Sequence, residues 1–197
     1  MKKIKNKIVI SLTAGLLLLL SLPNCAKYEG KKLNSPQAPI HEKDNIEVAK
    51  KALTQEECKE YFGGRNLMKR GYQPVHIYVK NNTNKTIYLN PDYIELPLES
   101  ASSVARKMHR NVGWKVTKYF IIGGPIWAAI EGLASSDANK TITADVNEKA
   151  VRLDKAIKIR PHGIINKVLF VAKENYSADF KLSLVEPKSN TAYEFNL

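Results

Sequence analysis

The sequence predicts a mainly β protein: a β-sandwich of roughly seven strands, led by one helix and interrupted by a helical hairpin. Three observations predict it. Val75, Ile77 and Val79 alternate with His76, Tyr78 and Lys80, the two-residue period of a half-buried strand. That period returns after residue 149, in short runs separated by turn residues. Between them, Val104, Met108, Val112, Val116 and Phe120 recur every fourth residue, which belongs to a helix and not to a strand.

The elements follow in chain order. Lys2, Lys3, Lys5 and Lys7 precede an apolar run from Ile8 to Leu22, then a polar boundary at Pro23-Asn24-Cys25. This is the three-part pattern of a signal peptide over residues 1–24. The run is about 15 residues, shorter than the roughly 20 that span a bilayer, so a permanent transmembrane helix is the weaker reading. Leu22-Pro23-Asn24-Cys25 resembles a lipobox, where bacterial lipoproteins are cut before a Cys that then receives lipid. Leu22 fits the pattern and Asn24 departs from it. Ala26 stands where an inner-membrane retention signal would have Asp, which points to the outer membrane. Residues 25–43, with Lys31, Lys32, Ser35, Pro36 and Pro39, read as a flexible tether after a lipidated Cys25.

The folded domain is then expected over 44–197. From Asn45 to Tyr61, Ile46, Ala49, Leu53 and Cys58 approximate helical spacing and predict a short amphipathic helix ended by Gly63-Gly64. Val75 to Lys80 is the first strand. Asn81-Asn82-Thr83-Asn84 supplies turn residues, and Thr86 to Leu89 opens a second strand expected to form a hairpin with the first. Tyr93 to Leu96 reads as a third, closed by Pro97. The helical insertion spans about 100–148, its two arms separated by Gly123-Gly124-Pro125. After polar residues 135 to 149, Val151 and Leu153, then Ile157 and Ile159, resume the strand period, and Pro161-His162-Gly163 marks a turn. Ile164 to Val171 suits a central strand. Phe180, Leu182 and Leu184, then Tyr193, Phe195 and Leu197, complete the sheets.

The chain of 197 residues is 44% hydrophobic and 25% charged, an ordinary globular composition. Its formal charge is +12, and removing the four leader lysines leaves +8. Export makes nucleic acid an improbable partner, so the basic balance is assigned to solvated surface, anionic lipid or acidic envelope partners.

No reaction is legible. His41, His76, His109 and His162 stand apart, without metal-ligand spacing, and no cofactor motif is present. Glu56-Glu57 lies among lysines and reads as solvated charge. With Cys25 lipidated, Cys58 has no partner within the chain and reads as a buried thiol or an intermolecular disulfide former. The feature above background is the hairpin. Arg106, Lys107, Arg110, Lys115 and Lys118 face no acid from Ser100 to Tyr119, beside an apolar tip holding Phe120, Ile122 and Trp127. Such a segment either packs on the sandwich or contacts a membrane or an envelope protein partner.

Cys58-Lys59-Glu60-Tyr61-Phe62, Gly71-Tyr72-Gln73-Pro74-Val75, Asn81-Asn82 and Ser136-Asp137-Ala138-Asn139-Lys140 together resemble a group of uncharacterised bacterial envelope lipoproteins, over about residues 45–197. The resemblance implies an immunoglobulin-like sandwich with a helical insertion and brings no catalytic residues. The expectation is a membrane-anchored envelope lipoprotein acting as a binding or assembly module, not an enzyme. The alternatives are an envelope-polymer hydrolase using Cys58 or a carboxylate pair, and a membrane-perturbing protein acting through the apolar hairpin.

Overall fold

The computed structural model describes residues 28–109 and 135–197. The described residues form eight strands in two antiparallel sheets. The strands are β1 (Ile40–Lys43), β2 (Ile46–Ala52), β3 (Tyr72–Asn81), β4 (Ile87–Ile94), β5 (Ile157–Ile159), β6 (Ile164–Ala172), β7 (Lys181–Glu186) and β8 (Thr191–Asn196). One sheet runs in the order β1-β2-β3-β6 and the other β5-β4-β7-β8. Helices α1 (Gln55–Tyr61) and α2 (Ala101–Met108) are joined by α3, residues 135–149. The mainly β expectation therefore holds.

The two sheets share one apolar cluster. Ile46, Val48, Val75, Ile77, Val79, Leu169 and Val171 come from the first sheet, and Ile87, Leu89, Ile159, Leu182, Leu184 and Phe195 from the second. A second cluster lies against the first sheet's other face. There Tyr72, Val168 and Phe170 meet Cys58 of α1, Val104 and Met108 of α2, and Ile142 and Val146 of α3. Covered on both faces, β3 is buried along nearly its whole length. On α3 the residues Ala138, Ile142 and Val146 recur every fourth position and are all buried, as is Ala150 just past its end, so this helix has an apolar stripe after all.

Several expectations are corrected. The helix expected over 45–61 begins only at Gln55, because Ile46 and Val48 point into the inter-sheet core at a two-residue period and β2 pairs with β3 from Ile46↔Asn81 to Ala52↔Val75. Thr54 then caps α1: its hydroxyl accepts from Glu57 N, and the Glu57 carboxylate accepts from Thr54 N. The hairpin expected between the first two strands does not form. Both edges of β3 are taken, by β2 and β6, so residues 82–86 carry the chain across to the second sheet, where β4 pairs with β5 and β7. Tyr93 and Ile94 belong to β4, and Leu98 makes only an isolated bridge with Val171. Val151 and Leu153 are not in a strand, and the polar-looking residues 135–149 are helical. The described parts of the insertion, α2 and α3, fall between β4 and β5.

The stretch expected as a free tether is structured where it is described. Ile40–Lys43 pairs with β2 through a two-residue turn, Asp44 and Asn45, both with positive φ (52° and 61°). Further upstream, Tyr28 is 8% exposed within the helical cluster. The turn expected at Pro161-His162-Gly163 is present, with His162 at φ 55°.

Candidate functional site

One group of buried polar and titrating side chains lies on the helical side of the first sheet, around β3. Strand alternation sends Tyr72, His76 and Tyr78 to that side while Val75, Ile77 and Val79 fill the inter-sheet core. His76 is buried at 1% exposure. Its Nε2 lies 3.0 Å from Asn166 Oδ1 on the adjoining β6, so the tautomer protonated at Nε2 donates to that oxygen. Lys51 of β2 stands opposite His76 in register. Its ammonium donates to Glu57 Oε1 at 2.6 Å, and the Tyr61 ring meets the imidazole edge-on with centroids 6.5 Å apart.

Each titrating group here is moved by an identifiable cause. Burial lowers the His76 pKa, and the Asn166 hydrogen bond only partly opposes it. Burial alone would raise the Glu57 carboxyl, but hydrogen bonds from Lys51 and from Thr54 outweigh it and hold the group below the usual carboxylate range. Burial raises the Tyr61 phenol. Residues 34–37 roof these groups and close a cavity of about 210 Å³ lined by Lys51, Glu57, Tyr61 and His76. That is smaller than the roughly 300 Å³ at which small-molecule pockets begin, and a few water molecules would fill it.

Another cavity, about 370 Å³, is lined by Gly30, Lys32, Asp145, Glu148, Lys149, Asn166 and Lys167. Its wall is a buried network. Lys149 Nζ donates to both Asp145 oxygens at 2.5 and 2.7 Å and to Tyr61 O at 2.7 Å, while Tyr28 Oη donates to Asp145 Oδ2 at 2.6 Å. Burial, then the bond to Asp145, raises the Tyr28 phenol. Lys167 donates to Glu148 O, and burial lowers its ammonium pKa. Gly30 is required by close approach: a Cβ there would sit 2.5 Å from Tyr61 O and 2.8 Å from Asp145 Oδ2.

Of the contact residues expected from the sequence, Arg106 and Lys107 are exposed on α2. The Lys107 ammonium lies 4.7 Å over the Tyr72 ring, and its carbonyl accepts from Arg70. Arg110, Lys115, Lys118, Phe120, Ile122, Trp127 and the lipidation candidate Cys25 lie outside the described residues. Cys58 is fully buried, and burial pushes its thiol up to about 11, an environment that disfavours the reactive thiolate. His109 closes α2 and reaches Thr143 Oγ1 of α3 at 2.8 Å. Among the described residues no three His, Cys, Asp or Glu side chains are placed to hold a metal, and no helix is long and apolar enough to cross a membrane.

Sequence reasoning missed Tyr28, Asp145, Lys149 and Asn166. The Asp145/Lys149 spacing of four on a helix was a usable signal; the others meet only through tertiary packing. No family model, curated protein or solved structure matches this chain.

Proposed function

We propose that this chain is an envelope lipoprotein, anchored to a membrane by lipid on Cys25 of its lipobox-like Leu22 to Cys25, whose body is a binding or assembly module and whose insertion makes the contact. The observation that supports this best is where the insertion leaves the body. Met108 and Ser135, which flank it, are both fully buried, and the His109–Thr143 hydrogen bond ties α2 to α3 at that point. The described residues on either side of 110–134, a stretch of basic and apolar composition, thus lie on the helical side of the first sheet.

The strand order supports an immunoglobulin-like reading of the body. With β2, β3, β4, β5, β6, β7 and β8 taken as A, B, C, C′, E, F and G, one sheet reads A-B-E and the other C′-C-F-G, with β1 added beside A. The insertion then sits between C and C′, where a loop can grow without disturbing the core.

The test is the intact mass of the protein purified from its native membrane, beside Cys25→Ala. Loss of residues 1–24 with a gain of acyl chains, absent in the variant, is the expected result. An unmodified mass overturns the anchor. Trp127→Ala combined with Ile122→Asp is expected to abolish capture of a crosslinked envelope partner or of lipid while leaving the fold intact. Unchanged capture assigns the contact elsewhere.

A further inference from the structure

Resting on the lipid-anchor reading, we propose that the edge of the helical layer formed by α1 and α3 around Tyr28 is held directly against the lipid headgroups of the membrane. The anchor does not end in a long tether. Only Ala26 and Lys27 separate Cys25 from Tyr28, and three residues of fully extended chain reach at most about 11 Å.

Tyr28 is a firm seat. Its hydroxyl donates to Asp145 Oδ2 at 2.6 Å, and its ring packs over Gly63, where a Cβ would come within 2.7 Å of ring atom Cδ2. Asp145 is itself held by Lys149, and three residues on, Lys31 N donates to Glu60 O at 3.2 Å. A chain pinned at these points cannot pay out more length.

Scale decides the orientation. A domain of about 150 residues has a radius of gyration of about 15 Å, and stacked sheets lie about 10 Å apart. The outer face of the β5-β4-β7-β8 sheet is therefore too far from Tyr28 for an anchor of about 11 Å to bring it to the bilayer. Lys59, exposed on the last turn of α1, lies on the Tyr28 side, and its carbonyl accepts from Gly64 N at 2.7 Å. Glu194, exposed on β8 between the core residues Tyr193 and Phe195, lies on the far side. The charge around Tyr28 is mixed, Glu29, Glu60 and Asp145 with Lys31, Lys59, Arg65 and Lys149, so chain length and not electrostatic attraction imposes the apposition.

The experiment uses the natively lipidated protein in vesicles carrying an energy acceptor on the headgroup. A dye is placed through Lys59→Cys or Glu194→Cys, with Cys25 blocked by lipid and Cys58 buried. Transfer is expected to be several-fold stronger from position 59 than from 194. Inserting a 20-residue Gly-Ser segment between Ala26 and Lys27 is expected to make the two converge without changing acylation, and Tyr28→Ala to narrow the gap. Equal transfer from both positions in the unextended protein overturns the orientation while leaving the anchor standing. Absence of acyl mass on Cys25 overturns the anchor itself, and the orientation with it.

Discussion

Asp145 and Lys149 stand one turn apart on α3, with side chains 19% and 7% exposed, and their ion pair also holds Tyr28 and the carbonyl of Tyr61. Removing one partner leaves the other charge buried, which costs more than the pair contributes when intact. Asp145→Ala is expected to destabilise the fold by about 3 kcal/mol, seen as a lower urea midpoint at unchanged slope. Asp145→Leu with Lys149→Met removes both charges and is expected to recover part of that loss. His76 makes a different prediction. Its folded pKa lies below the unfolded value of about 6.5, so the unfolded chain takes up a proton first as pH falls. Stability should therefore decline below about pH 6.5 and level off beneath the folded value. The groups around the imidazole are Lys51 of β2, Glu57 and Tyr61 of α1, and Asn166 of β6. Glu57, also lowered, adds its own loss only nearer the carboxylate range, so urea midpoints between pH 7 and 5 isolate His76. His76→Gln is expected to flatten that slope; a slope that persists would assign it to another group.

At the scale of elements, the central question is why β3 and β4 part company. Asn81, fully buried at the end of β3, donates to Lys85 O at 2.7 Å and to Arg160 O at 3.0 Å, and its Oδ1 accepts from Thr83 N and Thr83 Oγ1. One side chain thus fixes the turn and ties the first sheet to the segment after β5. Asn81→Ala strands several buried polar groups and is expected to cost about 2–3 kcal/mol by urea denaturation. A loss below about 0.5 kcal/mol would show that the crossing is held by the core alone. The strands with clean alternation, β3, β7 and β8, were legible from residues alone. The turn residues of 81–84 were legible as a turn, but not its direction, since that depends on β6 occupying the free edge of β3. In the 45–61 segment the spacing of Ile46, Ala49 and Leu53 imitated a helix. What overrode it was the ladder offered by β3 and the Asp44-Asn45 turn, a pair of turn-prone residues that the helical reading from Asn45 passed over.

For the whole molecule, the N-terminal stretch is part of the fold. Tyr28, together with Lys31 and the roof at residues 34–37, closes the helical side of the first sheet. Tyr28→Ala removes a buried ring and its hydrogen bond, and a loss of about 3 kcal/mol is expected. A chain starting at residue 40 should be destabilised at least as much; equal urea midpoints for that chain and one starting at residue 26 would restore the free-tether picture. By itself the sequence determined the β-rich class, the strands whose apolar residues alternate cleanly, the turn at His162 and the absence of a legible catalytic motif, because these are written in local periodicity and residue type. Only the tertiary structure decided which strands share a sheet, that the first sheet is covered on both faces, and that Tyr28, Asp145, Lys149, His76 and Asn166 meet. Those outcomes depend on which edges and faces remain free once other elements have packed, and no local window of residues contains that information.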